Sequence, residues 1–489
     1  MQKHFQNPII HRLSLAIFLV ASLGSIHYAF PDLIGIDGYF HIRYSYLLRT
    51  EGLIDTFPWL SATLYAQNFV DDHFFFHVLQ TPFTFGDLTF GAKIYGLIVA
   101  TGIFLLFHHI LVIHRIPYAT VWTLTLLVSS PIFLLRISMP RAPGVSLFFL
   151  LLALHLLLRH KDRWLGVLAF FYVWTYGGFP LLWVLVGCVY IVSLIYQKNN
   201  RWPLLLATGL GTVLGLIINP YFPDNLHFLY LSYTKIELGM FPSTIPAGTE
   251  DYPYAASTAV KHTFLIWGVL FVTILIYIAR PFALKADAMT LFLFSVALLC
   301  LYLNVRRFIE YWPPFALLFS AFATRKMKSQ IDNFKPMVIQ SSIAVILVFA
   351  SINTIREIRQ IRDHEHVPQF YAGASEYLQK NTQKNSIVFT GGWDDFPILF
   401  FYNTYNYYIV GLGLHYLYFY DPDLFMRWMD ITDGLISNPA EAIKQSFGAQ
   451  YAFCLKADAA LLRKLEADPQ ARLLYADDHA SVFELVPTP

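Results

Sequence analysis

The chain has 489 residues, of which 56% are hydrophobic and only 13% charged, with a formal net charge of +2. Soluble proteins carry roughly 25% charged residues, so the composition excludes an ordinary soluble enzyme. The net charge by itself says nothing about nucleic acid, and no nucleic-acid partner is expected. Apolar runs approaching the ~20 residues that cross a bilayer recur along the chain, and they predict a polytopic, mainly α membrane protein.

In chain order the runs fall at 8–30, 93–113, 117–135, 145–158, 164–176, 180–196, 202–218, 262–279, 287–303, 313–324 and 336–352, giving about eleven spans. The N-terminal run has no clear small-residue cleavage site and reads as a retained helix. Breaks come from Gly177-Gly178 and from the two prolines of NPYFPDNL at 219–226. Lysines and arginines cluster in the loops at 114–115, 159–163, 198–201, 280–285 and 325–335. The positive-inside rule then places the N-terminus in the cytoplasm. The loops 31–92 and 219–261 and the C-terminal residues fall outside. Cys188, Cys300 and Cys454 are far apart and read as buried small residues rather than a disulfide or metal set.

From about 365 to 489 the composition changes. Short apolar runs at 386–390, 407–410, 451–455 and 481–485 read as strands. Segments 372–379, 423–431, 439–447 and 458–467 read as helices, so the tail is expected to be a small extracytoplasmic α/β domain following a membrane domain at 1–355.

The chemistry-bearing residues gather in the loops assigned to the outer face. The first loop carries Asp37 in IDGYFHIR and the run Asp71-Asp72-His73. Glu237, Glu250 and Asp251 lie in the second long loop, with Glu250 favoured because GTEDYPY returns to the membrane just before a helix. Arg136, Arg141, Arg306 and Arg307 stand at helix ends, and the tail holds Trp393-Asp394-Asp395. Carboxylates can deprotonate an attacking hydroxyl or amide, and with imidazole they can hold a divalent ion. Guanidiniums or a metal can stabilise a phosphate leaving group. The plainer readings are an amphipathic surface helix for the first loop, headgroup anchors for the arginines, and a helix cap for Asp394-Asp395.

In these motifs the chain resembles the GT-C superfamily of membrane glycosyltransferases, which use polyprenyl-phosphate-linked sugars, and within it the catalytic subunit of oligosaccharyltransferase. The resemblance rests on IDGYFHIR after the first helix, the Asp-x-His pattern at 71–73, a glutamate in a later long loop, and the C-terminal domain. It implies a bundle of membrane helices in a bacterial or archaeal plasma membrane. It implies transfer of a sugar or oligosaccharide from a polyprenyl phosphate or diphosphate to a protein, lipid or polysaccharide. It implies Asp37 as base or metal ligand, a Mg or Mn ion held by Asp37, Asp72, His73 and Glu250, phosphate held by Arg141, Arg306 and Arg307, and acceptor contacts from Trp393, Asp394 and Asp395. Two departures stand out. The family's tail motif is Trp-Trp-Asp-Tyr-Gly, whereas this chain has Gly-Trp-Asp-Asp-Phe. The Asp-Asp-His run also shares one loop with Asp37 instead of following a later helix. A transporter or flippase is the rival reading; it calls for paired polar residues inside the helices, which are scarce.

Overall fold

A computed structural model describes residues 8–237, 248–279, 284–327, 336–362 and 368–486. Arg280, Lys328, Lys335 and part of the second long loop lie outside the described residues, as does the side chain of Glu237.

The molecule is an α-helical bundle with one small sheet, and it is an integral membrane protein. Among the described residues, three helices are long and apolar enough to cross a membrane: Ile9–His27, Leu88–Ile113 and Ala286–Asn304. The expected span 117–135 is bent instead, and a short helix in the second long loop meets the start of the span 262–279 at a sharp angle. Ala119–Leu127 meets Pro131–Ser138 at 84°, and Ala256–His262 meets Phe264–Ala279 at 84°. The first bend has a local cause: Ser130 caps the backbone N–H of Phe133 and Pro131 starts a new helix, so the chain stops and restarts. Five further apolar helices, including Pro180–Tyr196 and Trp202–Ile217, are shorter, at 10–17 residues. The helix Trp312–Ala323 is buried along its whole length and sits in the middle of the packed apolar core.

Residues 369–485 build a five-stranded sheet flanked by helices. Its strands are β1 (Ile387–Thr390), β2 (Tyr407–Tyr408), β3 (Tyr451–Leu455), β4 (Ala471–Ala476) and β5 (Ala480–Leu485), in the order β2-β1-β3-β5-β4. β1 runs parallel to β2 and β3, while β5 runs antiparallel to β3 and β4. Four of these strands match runs expected from the sequence. β4 does not, because it is an edge strand whose residues are nearly all half-exposed or exposed and whose sequence, ARLLYA, has no clean alternation.

The first long loop and the tail share one face and one core. The loop folds into the helix Asp37–Glu51, the short helix Phe74–Gln80 and connecting turns. Phe40 and Phe57 pack against Phe396 and Phe400 of the tail helix Phe396–Tyr402, with ring centroids 5.3–6.2 Å apart. Arg43 donates through Nε to the Phe401 carbonyl at 2.7 Å. The loop backbone also pairs with β2: Tyr408 N–H donates to the Trp59 carbonyl at 2.9 Å, and Ser61 N–H to the Tyr408 carbonyl at 2.8 Å. Burying such aromatic pairs adds about 0.5–1.5 kcal/mol each beyond their area, enough in sum to fix the sheet against the loop.

Candidate active site

Asp37 is the first residue of the helix Asp37–Glu51. A carboxylate there is favoured by the orphan N–H groups of the first turn. Gly38 brings this helix end against the loop Met139–Arg141, since a Cβ on Gly38 would lie 2.7 Å from Pro140 Cγ. That approach sets Arg141 beside Asp37, and Arg141 Nη1 donates to Asp37 Oδ2 at 3.0 Å.

Arg141 opens a network of charges. Its Nη2 donates to Glu310 Oε1 at 2.7 Å, and its Nη1 lies 3.4 Å from Glu250 Oε2. Arg136 donates to Glu250 at 2.7 Å and also to Glu310. Arg307 pairs with Asp251 and lies 3.8 Å from Glu250. Burial pushes the Glu250 carboxyl up, but Arg141, Arg136 and Arg307 together outweigh it and hold it well below the usual carboxylate range. Glu310, only 1% exposed, lies between two guanidiniums and fixes both. Arg306 is turned away: it donates to the carbonyls of Tyr252 and Pro253 and covers the Tyr254 ring.

The second cluster comes from the end of the first loop. Asp71 is buried; its Oδ1 accepts the His73 backbone N–H at 3.0 Å, and its Oδ2 lies 2.8 Å from His77 Nδ1. His77 Nε2 in turn lies 2.8 Å from His41 Nδ1. His77 thus bridges Asp71 and His41 with one ring nitrogen to each. Burial, followed by His77, His73 and Arg141, keeps the His41 imidazole neutral, far below its ordinary value. Asp72 Oδ1 meets His73 Nδ1 at 2.7 Å. Burial disfavours the His73 cation, but Asp72, Asp71 and Asp37 together raise it above its ordinary value. The ring of Tyr176 lies 5.6 Å from that of His73, and Gly177 passes close to Asp72, so the Gly177-Gly178 break forms a wall of the site.

Among the described residues, Asp71, Asp72 and His73 are the group whose donor atoms gather for a metal, all within 4.8 Å of one another. Two carboxylates and an imidazole form an oxygen and nitrogen set suited to Mn or Mg. Asp72 and His73 remain 28% and 22% exposed, open to a further ligand. Asp37 and Glu250 stand outside this group, each paired with arginine.

The turn Trp393-Asp394-Asp395 is engaged within the tail. Asp395 is buried, accepting the Tyr371 hydroxyl at 2.9 Å and the Gly392 N–H at 3.0 Å, while Trp393 packs in the apolar cluster with Leu414 and Phe425. The tail residue near the charges is His415, on the helix Leu414–Tyr420. Burial and then Arg307 lower its pKa to about 3, against an opposing pull from Asp72. Gly413 makes room for it: its φ is +145°, and a Cβ would come within 2.4 Å of the His415 ring. Sequence reasoning also passed over Glu310, although it stands three residues beyond Arg307 in VRRFIEYW, close enough for both to share one turn.

No protein-family model matches the sequence, and no curated protein matches it. Solved structures do. The crystal structure of the Archaeoglobus fulgidus oligosaccharyltransferase tethered to an acceptor peptide containing the NVT sequon aligns over 99% of this chain and 75% of its own, at 12% identity and a TM-score of 0.67. The crystal structure of ArnT from Cupriavidus metallidurans bound to undecaprenyl phosphate aligns over 98% of both chains, at 14% identity and a TM-score of 0.59. The chain therefore shares the fold of these two proteins.

Proposed function

We propose that the protein is a glycosyltransferase that moves a sugar or oligosaccharide from a polyprenyl phosphate or diphosphate to a protein, lipid or glycan acceptor at the extracytoplasmic face. The observation that supports it most is the ion pair of Asp37 with Arg141 at 3.0 Å, in a chain that also gathers Asp71, Asp72 and His73 at the end of the same first loop. The neighbour with undecaprenyl phosphate and the neighbour with a tethered acceptor peptide share this fold and support the same substrate classes.

In the proposed reaction an acceptor hydroxyl or amide attacks the anomeric carbon while the bond from that carbon to the phosphate oxygen breaks. Asp37 is the proposed base, and its carboxylate is the most open of the set, 47% exposed. It takes the acceptor proton, and the phosphate leaves with the bonding electron pair. Arg141 and Arg307 would hold the leaving phosphate, with Glu310, which pairs with Arg141, orienting it. Asp71, Asp72 and His73 would hold a divalent ion, which when bound would offset negative charge near the leaving group.

The test is transfer from a labelled polyprenyl-phosphate sugar by the full chain in nanodiscs. Asp37→Asn keeps the size of the side chain but cannot take a proton, and loss of a general base costs about 10²–10⁴-fold in rate. Unchanged transfer by the Asp37→Asn protein would remove Asp37 from the reaction.

A further inference from the structure

Beside the charged residues lies a cavity of about 440 Å³, within the ~300–1,000 Å³ range of small-ligand sites. Three elements wall it: the turn at 64–70, the helix Asp224–Tyr230 with the residues that follow it, and the tail helix Leu414–Tyr420. Tyr416, Phe419 and Tyr420 give it aromatic surface, and Gln67, Asn68 and Asp224 give it polar groups. We infer that this cavity is an acceptor subsite for a neutral saccharide, an inference that rests on the transferase reading above.

The lining selects the ligand class. Among the described residues its lining contains no lysine or arginine, so a phosphate or an acidic peptide would meet the Asp224 carboxylate with none of these cations to offset it. Amide and carboxylate groups suit the uncharged hydroxyls on the rim of a sugar ring, and aromatic faces suit its C–H face. An extended peptide would instead add to an open sheet edge. The β2 edge is already paired with residues 59–61 of the first loop, and the other edge, β4, lies at the far side of the sheet.

The location suits an acceptor. Val70, which also lines the cavity, directly precedes Asp71. Tyr65 and Tyr416 stand at the inner end with ring centroids 4.4 Å apart. A saccharide held here has its inner hydroxyl directed towards the Asp71-Asp72 side of the site.

The test uses the full chain in nanodiscs with a panel of uncharged tetrasaccharides of glucose, mannose, galactose and N-acetylglucosamine, read by saturation-transfer NMR. At least one panel member should give ring-proton signals. Gln67→Ala and Tyr420→Ala, both at exposed positions, should each weaken binding by about tenfold with unchanged melting temperature. If no panel member gives a signal that these variants reduce, the inference is overturned. A pool of uncharged peptides giving the variant-sensitive signal instead would overturn it equally. The Asp37→Asn protein should bind the saccharide as the parent does. Saccharide binding without transfer from any polyprenyl donor would sink the transferase reading and leave the subsite standing; transfer without saccharide binding would do the reverse.

Discussion

The two charged clusters are built in opposite ways. Asp71, Asp72, His73 and His77 lie within seven residues of one another and need only His41 from elsewhere. The arginine network joins Asp37, Arg136, Arg141, Glu250, Arg307 and Glu310, which come from widely separated segments. The local cluster offers imidazoles and carboxylates, the chemistry of a metal site. The dispersed one pairs guanidiniums with carboxylates, and in the proposed reaction its arginines would hold the phosphate. Asp37 belongs to the dispersed network through Arg141, so the sharpest tests cut that network, then the local cluster, then a control outside both.

The largest effect is expected from Arg141→Gln. It removes a proposed phosphate contact and the partner of Asp37, and transfer should fall by about 10²-fold or more. Glu310 keeps Arg136 but loses its second buried partner, which should cost about 2 kcal/mol of stability. Transfer at the parent rate with a parent-like unfolding midpoint would mean that the network is only a surface anchor.

A smaller effect belongs to His77→Phe. His77 does not belong to the proposed ligand group; it holds Asp71 through Nδ1 and His41 through Nε2. Loss of such an outer partner typically costs about 10–100-fold in metal affinity. Manganese titration followed by electron paramagnetic resonance reads this directly. An unchanged affinity would detach the histidine chain from the metal group.

The local cluster could be read from the sequence because its spacing is its geometry. The same holds for four strands and for the helix Pro439–Phe447, whose expected bounds match. What was not legible depends on contacts distant in sequence. Glu310 gains meaning only beside Arg136 and Arg141, and His415 only beside Arg307 and Asp72. The aromatic run LHYLYFY carries strand-forming residues, yet it is a helix because it packs on the first loop. Ser130 and Pro131 carry the signal for the bend inside 117–135, but hydropathy averaged along the run hides it.

The smallest effect, and the control outside both clusters, is Asp395→Asn. Burial, then the charges of Asp458 and Asp394, raise the Asp395 carboxyl well above its ordinary value, against the Tyr371 and Gly392 hydrogen bonds. A carboxyl raised in the folded state contributes stability that is full below its unfolded value and is lost as pH rises through the folded one. The melting temperature of the variant should therefore gain on that of the parent as pH increases from acid to neutral. A constant difference across pH would show that Asp395 is ionised in the fold. Loss of transfer without this pH signature would return the Trp393-Asp394-Asp395 turn to an acceptor role.

The most direct test of a single shared site is a double-mutant cycle on transfer, with Asp37→Asn and Asp72→Asn measured alone and together. Each change alone should slow transfer severely. If both carboxylates serve one step in one site, the double variant should be little slower than the worse single one, because residues acting as a unit are strongly non-additive. Losses that multiply in full would contradict the account and separate the two clusters into independent functions.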